Sequence, residues 1–151
     1  MAKSTTKTII GRYDKIDLPE MNLLDIDAKI DTGADGSAIH CHQIEIVRKR
    51  GKKLLHFILL DPTHPNYDNK SFYFADYKQR SIKNSFGDSE KRFVIKTPIV
   101  IFGKERHTEF SLSYRDNLSF PILLGRKFLY RNFVVDVARS NLSYRRKKKS
   151  Q

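Results

Sequence analysis

One cysteine, no apolar run of membrane-spanning length and a shortage of acidic residues set the first limits on this 151-residue chain. Cys41 alone cannot form an intramolecular disulfide, so nothing calls for an oxidising compartment. The longest apolar runs, such as Phe57-Ile58-Leu59-Leu60, fall far short of the roughly 20 residues that cross a bilayer. The polar start, Met1 to Thr8, has no apolar stretch of an export signal behind it. The expectation is a cytoplasmic protein with no membrane partner. HExxH, paired CxxC and GxxxxGK[ST] are all missing, which removes the usual signatures of zinc hydrolysis, structural zinc and nucleotide binding. No cofactor is expected.

Acidic residues number 17 against 29 basic ones, for a net charge of +12. The run Arg145-Arg146-Lys147-Lys148-Lys149 carries five of these charges and leaves +7 on the remainder, so the excess is not confined to the end of the chain. Such a field attracts polyanions, including nucleic acid and acidic peptide. A block of like charge is commonly solvated and disordered. The division expected is a flexible N-terminus over 1–8, one domain over 9–138 and a basic tail over 139–151.

Strand patterns dominate. Lys7 to Leu18 reads as extended and is ended by Pro19, which cannot donate to a sheet ladder. In Leu23 to Asp31, Ile26, Ala28 and Ile30 point to one face and Asp27, Lys29 and Asp31 to the other. Ile44 to Val47 and Leu54 to Leu60 flank a basic turn and predict a hairpin. Ser71 to Tyr77, Phe93 to Ile95, Ile99 to Phe102, Glu109 to Tyr114 and Phe133 to Val137 are further short β-rich runs. Only Arg126 to Arg131 reads as a helix. The class predicted is a small, mostly β barrel or sandwich.

Against that background stands Asp31-Thr32-Gly33-Ala34, where a carboxylate leaves an alternating strand and enters a tight turn. The motif occurs once. Acid–base chemistry that shares a proton between two carboxylates needs a second, and a homodimer supplies it when the two-fold axis passes between two copies of Asp31. A second feature is Phe120-Pro121-Ile122-Leu123-Leu124-Gly125-Arg126, an apolar strand running into Gly-Arg and a brief helix.

With these two segments the chain resembles retropepsin-like aspartic peptidases. Within that fold it is most similar to the family named for ATP-dependent zinc proteases, associated with ATP-grasp ligases of the RimK type. The matching segments are Ala28 to His40, Arg80 to Gly87, and Tyr114 to Leu118 leading into Ile122 to Leu129. The resemblance implies a closed β-barrel of the acid protease fold with one short C-terminal helix and half an active site per chain. It implies Asp31 as the catalytic residue, sharing a proton with its copy across the axis and activating a water. Thr32, Gly33, Ala34, Asp35 and Arg126 would support the loop: Thr32 reaching to the partner loop, Gly33 permitting the turn, Asp35 and Arg126 as a bracing ion pair. Arg80, Ser81, Asn84, Ser85, Phe86 and Gly87 would belong to a substrate-binding flap.

This flap has one glycine and the charges Lys83, Asp88, Glu90, Lys91 and Arg92, unlike apolar viral flaps, so an acidic, glutamate-rich peptide suits it better than an apolar one. The family association suggests a functional link to a glutamate ligase. A competing function keeps the fold without catalysis, as a basic adaptor binding nucleic acid or acidic protein tails. A third uses a metal at His40 and His42, the two members of His40-Cys41-His42 able to share an ion on an extended strand. The aspartic reading needs no metal, and these residues are expected to be ordinary structural ones, as are His56, His64 and His107.

Overall fold

A glycine and a proline set the entry to the fold. In the computed structural model, which describes residues 6–83, 86–114 and 120–151, the extended stretch after Lys7 divides at Gly11 into β1 (Thr8–Ile10) and β2 (Tyr13–Leu18). A Cβ on Gly11 would lie 2.3 Å from the carbonyl oxygen of Arg139, so only glycine admits that backbone. The neighbouring Arg12 N–H donates to the same oxygen at 2.9 Å. Pro19 ends β2 as expected, in a single 3-10 turn (Pro19–Met21) that buries Met21. Asn22, left-handed at φ 54°, then turns the chain into β3 (Leu23–Ile30). Ile16, Leu18, Ile26, Ala28 and Ile30 are all buried, so the alternation read from sequence holds.

β4 (Ser37–Lys49) and β5 (Lys52–Leu59) form the basic hairpin. Arg50 and Gly51 both have positive φ, the two-residue turn whose twist matches antiparallel strands. β6 (Ser71–Phe74) extends this sheet, and Phe57 stacks between Phe72 and Phe74 at 5.8 and 5.6 Å. β7 (Lys78–Lys83) pairs with β8 (Ser89–Ile101), which pairs with β9 (Lys104–Ser113). The two short runs read from sequence at 93–95 and 99–102 are one strand. Pro98 sits where β8 passes from β7, which pairs it as far as Val94, to β2 at Val100, an interval where a missing N–H is tolerated.

Closure comes from β10 (Ile122–Leu124), which pairs parallel with β3 and antiparallel with β4. The ring β10-β3-β2-β8-β9-β4 is thereby complete, giving the closed, mostly β barrel expected. Ile26, Ile39, Ile95, Ile99, Phe110 and Leu124 fill it, each contributing about 1.5–3 kcal/mol on leaving water. A short α1 (Arg126–Leu129) follows, then β11 (Phe133–Val135), which pairs parallel with β1 in a separate ribbon. Among the described residues no helix is long and apolar enough to cross a membrane.

The stretch 139–151 differs from the solvated tail expected. Leu142–Lys149 forms a second helix, α2, that lies against β2. Its cause is carboxylate chemistry on the strand. Asp14, with no exposed surface, accepts the N–H groups of Ser143 at 2.9 Å and Tyr144 at 3.1 Å, donors that a helix start otherwise leaves unpaired. Burial pushes its carboxyl above the ordinary aspartate value, and these N–H groups pull it back. Lys147 bridges Asp17 at 3.0 Å and Asp25 at 2.7 Å. The Ser143 hydroxyl accepts the N–H of Phe102 at 2.7 Å. Local charge repulsion is thus offset by acids more than a hundred residues away.

Asp14→Ala should strip the α2 start of its acceptor and cost about 2 kcal/mol, the usual range for orphaned buried donors. Urea unfolding reads the loss, and hydrogen exchange should show Leu142–Lys149 opening before the barrel.

Candidate active site

Asp31 follows the last buried residue of β3 and is held by its own backbone. Its N–H donates to the Leu124 carbonyl at 2.9 Å, and its carbonyl accepts the Ala34 N–H at 3.3 Å. The Gly33 N–H donates to Asp31 Oδ1 at 3.0 Å. A Cβ at Gly33 would sit 3.2 Å from that oxygen, tighter than ordinary contact, so a larger residue here would press on the carboxylate. Asp31 is half-buried while Thr32 and Gly33 at the tip are exposed.

The loop is seated on α1. The first amides of a helix have no partner within it, and here they find the loop's carbonyls: Arg126 N–H donates to Ala34 O at 2.8 Å and Lys127 N–H to Asp35 O at 2.9 Å. Gly125 N–H donates to the hydroxyl of buried Ser37 at 3.1 Å. A Cβ on Gly125 would lie 2.2 Å from Gly36 O and 2.8 Å from Ala34 O, so two backbones pass where no side chain fits. The Arg126 guanidinium donates to the Thr32 carbonyl at 2.9 Å. Its approach to Asp35 is longer, 3.9 Å, with Lys127 at 3.5 Å from the same carboxylate and all three side chains more than half exposed. Such a pair is worth about 0–1 kcal/mol, so the brace is the carbonyl contact. Ser37, Gly36 and Lys127 were outside the sequence-derived set. Only the register of β10 between β3 and β4 brings them in.

A cleft of ≈ 1010 Å³ opens beside Asp31, with Arg80 and Ser81 of β7 on its wall. The β7–β8 hairpin pairs out to Lys83↔Ser89. Beyond it, Phe86 is 90 % exposed and Gly87 turns the chain at φ +84°. Asn84 and Ser85 lie outside the described residues, as does the segment from Tyr114 to Leu118 apart from Tyr114 itself. The cleft lining carries six cations, Arg80, Lys83, Arg92, Arg106, Arg126 and Lys127, against Asp31, Asp35 and Glu109.

Arg80 grips Glu109 in a two-pronged pair at 2.7 and 3.2 Å. With Lys78 at 3.6 Å, it holds the Glu109 carboxyl below its ordinary value. Arg92 is paired with Glu90. Arg106 differs: its guanidinium lies 5.3 Å over the Phe133 ring, and its Nε is shielded from solvent without a hydrogen-bond partner among the described residues. Glu109 and Arg106 come from β9 and escaped the sequence reading, since nothing local marks them as cleft residues.

His40, Cys41 and His42 lie on β4 away from this cleft. His40 Nε2 donates to Asp61 Oδ2 at 2.6 Å, and His42 lies between the rings of Tyr67 and Tyr114 at 6.4 and 6.2 Å. Cys41 is fully buried, and burial raises its thiol well above the ordinary value. Among the described residues no three His, Cys, Asp or Glu side chains are grouped to hold a metal. With His40 held by Asp61, His42 set between two tyrosine rings and Cys41 fully buried, these donors do not fit the zinc of the family name. Asp61 also accepts the Thr63 N–H at 2.8 Å and the Thr63 hydroxyl, which with His40 holds its carboxyl at about 2.

The family model for the retropepsin-like aspartic endopeptidase RimB matches residues 9–146. Among curated proteins, a probable alpha-L-glutamate ligase of Desulfotalea psychrophila is 34% identical over 142 residues, covering 91% of this chain and 30% of the ligase. A second of that name, from Shewanella pealeana, is 31% identical over 141 residues with the same coverages. The chain thus spans about 30% of the length of these relatives. A crystal structure of a Legionella pneumophila protein of unknown function superposes with a TM-score of 0.69 at 28% identity, covering 91% of this chain and 99% of that one.

Gly125→Ala should destabilise the fold by about 3 kcal/mol, the upper part of the range for overpacking, and calorimetry should show the loss. For Asp61, whose folded carboxyl lies below its ordinary value of about 3.9, the stabilisation is fully present above pH 4 or so and is lost as pH falls toward 2. The stability gap between wild type and Asp61→Asn, followed by urea midpoints, should therefore close over that window.

Proposed function

Since the chain belongs to the RimB-like family of retropepsin-like aspartic endopeptidases, we propose that it is a homodimeric aspartic peptidase whose two Asp31 carboxylates hydrolyse a peptide bond in an acidic, glutamate-rich substrate. The observation that carries this reading is the lone Asp31 in a braced, exposed-tip loop at the mouth of a cation-lined cleft. Two carboxylates a few ångströms apart cannot both ionise cheaply, so the pair keeps one proton. The ionised member takes a proton from water as it attacks, and the protonated member donates a hydrogen bond to the scissile carbonyl. Asp31 Oδ1 accepts the Gly33 N–H, whereas Oδ2 has no hydrogen bond from the described residues and is open to water and substrate. The loop's seating on α1 keeps it from relaxing as charge moves.

The excess of cations in the cleft supports a substrate bearing carboxylates. The name of the longer relatives, probable alpha-L-glutamate ligase, supports a functional link with an enzyme that ligates glutamate. The β7–β8 hairpin would close over the bound peptide.

Asp31→Asn should lower cleavage of a glutamate-rich peptide by about 10³-fold or more while leaving the dimer intact by analytical ultracentrifugation. Mixing is the sharper measurement. With equimolar Asp31→Asn chains, subunit exchange should reduce the activity of the wild-type chains to about half. Wild-type activity unmoved by any excess of the variant would show that each chain works alone and would end the shared-site reading.

A further inference from the structure

The second basic surface lies on α2, and no residue of it lines the cleft. At 100° per residue, Lys148, Arg145, Lys149 and Arg146 occupy an arc of about 160° on the helix, opposite Ser143 and Lys147, which face the barrel. All four are exposed. The buried Asp14 and the Lys147 bridge to Asp17 and Asp25 hold the helix in one orientation, so these charges form a fixed array. Beside it is a shallow depression of ≈ 430 Å³ whose lining holds Lys7, Arg139 and Arg146 beside the apolar Ile9, Phe102 and Leu142; Arg139 is also paired with Asp136 at 3.2 Å, which lies outside the lining.

We propose that this face binds the phosphate backbone of duplex nucleic acid, independently of base sequence, with a phosphate seated in the depression among Lys7, Arg139 and Arg146. Two observations choose this occupant. The exposed arc holds a single apolar side chain, the half-buried Leu142, among its four cations, and with Ile9 beside it this is too little apolar surface for a face that inserts into a membrane or for the dry centre of a protein interface. Hydrated phosphates need no such centre, because counterion release drives their binding. The neighbouring rings are already engaged: Tyr144 by Lys15 at 5.5 Å and Lys148 at 5.3 Å, Phe102 by Arg146 at 5.1 Å. That leaves α2 without a free platform for stacking unpaired bases, which favours a duplex over a single strand.

The test uses the full chain and a fluorescein-labelled 25-base-pair duplex of arbitrary sequence, with anisotropy followed across a salt series. Wild type should bind with a log K against log salt slope of several units, and Arg145→Gln, Arg146→Gln, Lys148→Gln and Lys149→Gln combined should flatten it by about 2 to 4. Affinity at low salt should fall at least about tenfold in the same variant. Lys7→Gln with Arg139→Gln, which leaves α2 untouched, should weaken binding at least about threefold and gives a reading independent of the helix. Asp31→Asn should bind as wild type. Unchanged affinity in both basic variants would overturn the proposal. So would displacement of the duplex by polyglutamate at equal charge, which would make the surface an acidic-peptide site. Sedimentation with phosphatidylserine vesicles, without duplex binding, would overturn it in favour of a membrane surface.

Discussion

The close passage of two glycine backbones, Gly125 over Gly36, is the constraint on which the candidate site depends. With no side chain at Gly125, the strand-to-helix turn after β10 approaches the Asp31 loop closely enough for the first amides of α1 to reach its carbonyls. Those amides would otherwise be unpaired, and so would the carbonyls. Each element therefore satisfies the other, and the position of Asp31 follows from backbone hydrogen bonding more than from any side-chain contact. The guanidinium of Arg126 on the Thr32 carbonyl adds a third point of support from the same turn.

Barrel closure and site assembly are one event in this fold. β10 is only three residues long, yet it joins β3 to β4 and completes the ring. Its short length is enough because Ile122 and Leu124 are buried against strands on both sides, and because it leads directly into the turn that seats the loop. A disturbance at β10 would open the barrel and release the carboxylate together. The same economy places the cleft charges: Glu109 on β9 orients Arg80 on β7, so the wall of the cleft is held by an ion pair between strands that both hydrogen-bond to β8.

Charge is organised as two separate fields. In the cleft, acidic partners neutralise Arg80 and Arg92, while Arg106 keeps an unpaired donor. On α2, three acids of the barrel, Asp14, Asp17 and Asp25, use their pairing capacity on the helix's inward side. The outward side is left basic around the half-buried Leu142. The acids of β2 and its neighbour thus turn a repelling block into a surface with a defined direction.

Much of this was legible beforehand. The alternation through Ile26, Ala28 and Ile30 marked the strand that delivers Asp31, because a period of two is a local property of the chain. Asp31-Thr32-Gly33 and Leu124-Gly125-Arg126 could be recognised because tight turns and close approaches require particular residues at particular positions. The hairpin around Arg50-Gly51 and the stop at Pro19 were readable for the same reason. Tertiary structure alone decided the rest. The role of Asp14 in ordering α2, the preference of Arg126 for the Thr32 carbonyl over Asp35, and the arrival of Glu109 and Arg106 in the cleft all depend on contacts between residues far apart in sequence. Local pattern encodes how a segment lies. Which segment it meets is set by strand register and barrel closure, and those exist only once the chain has folded.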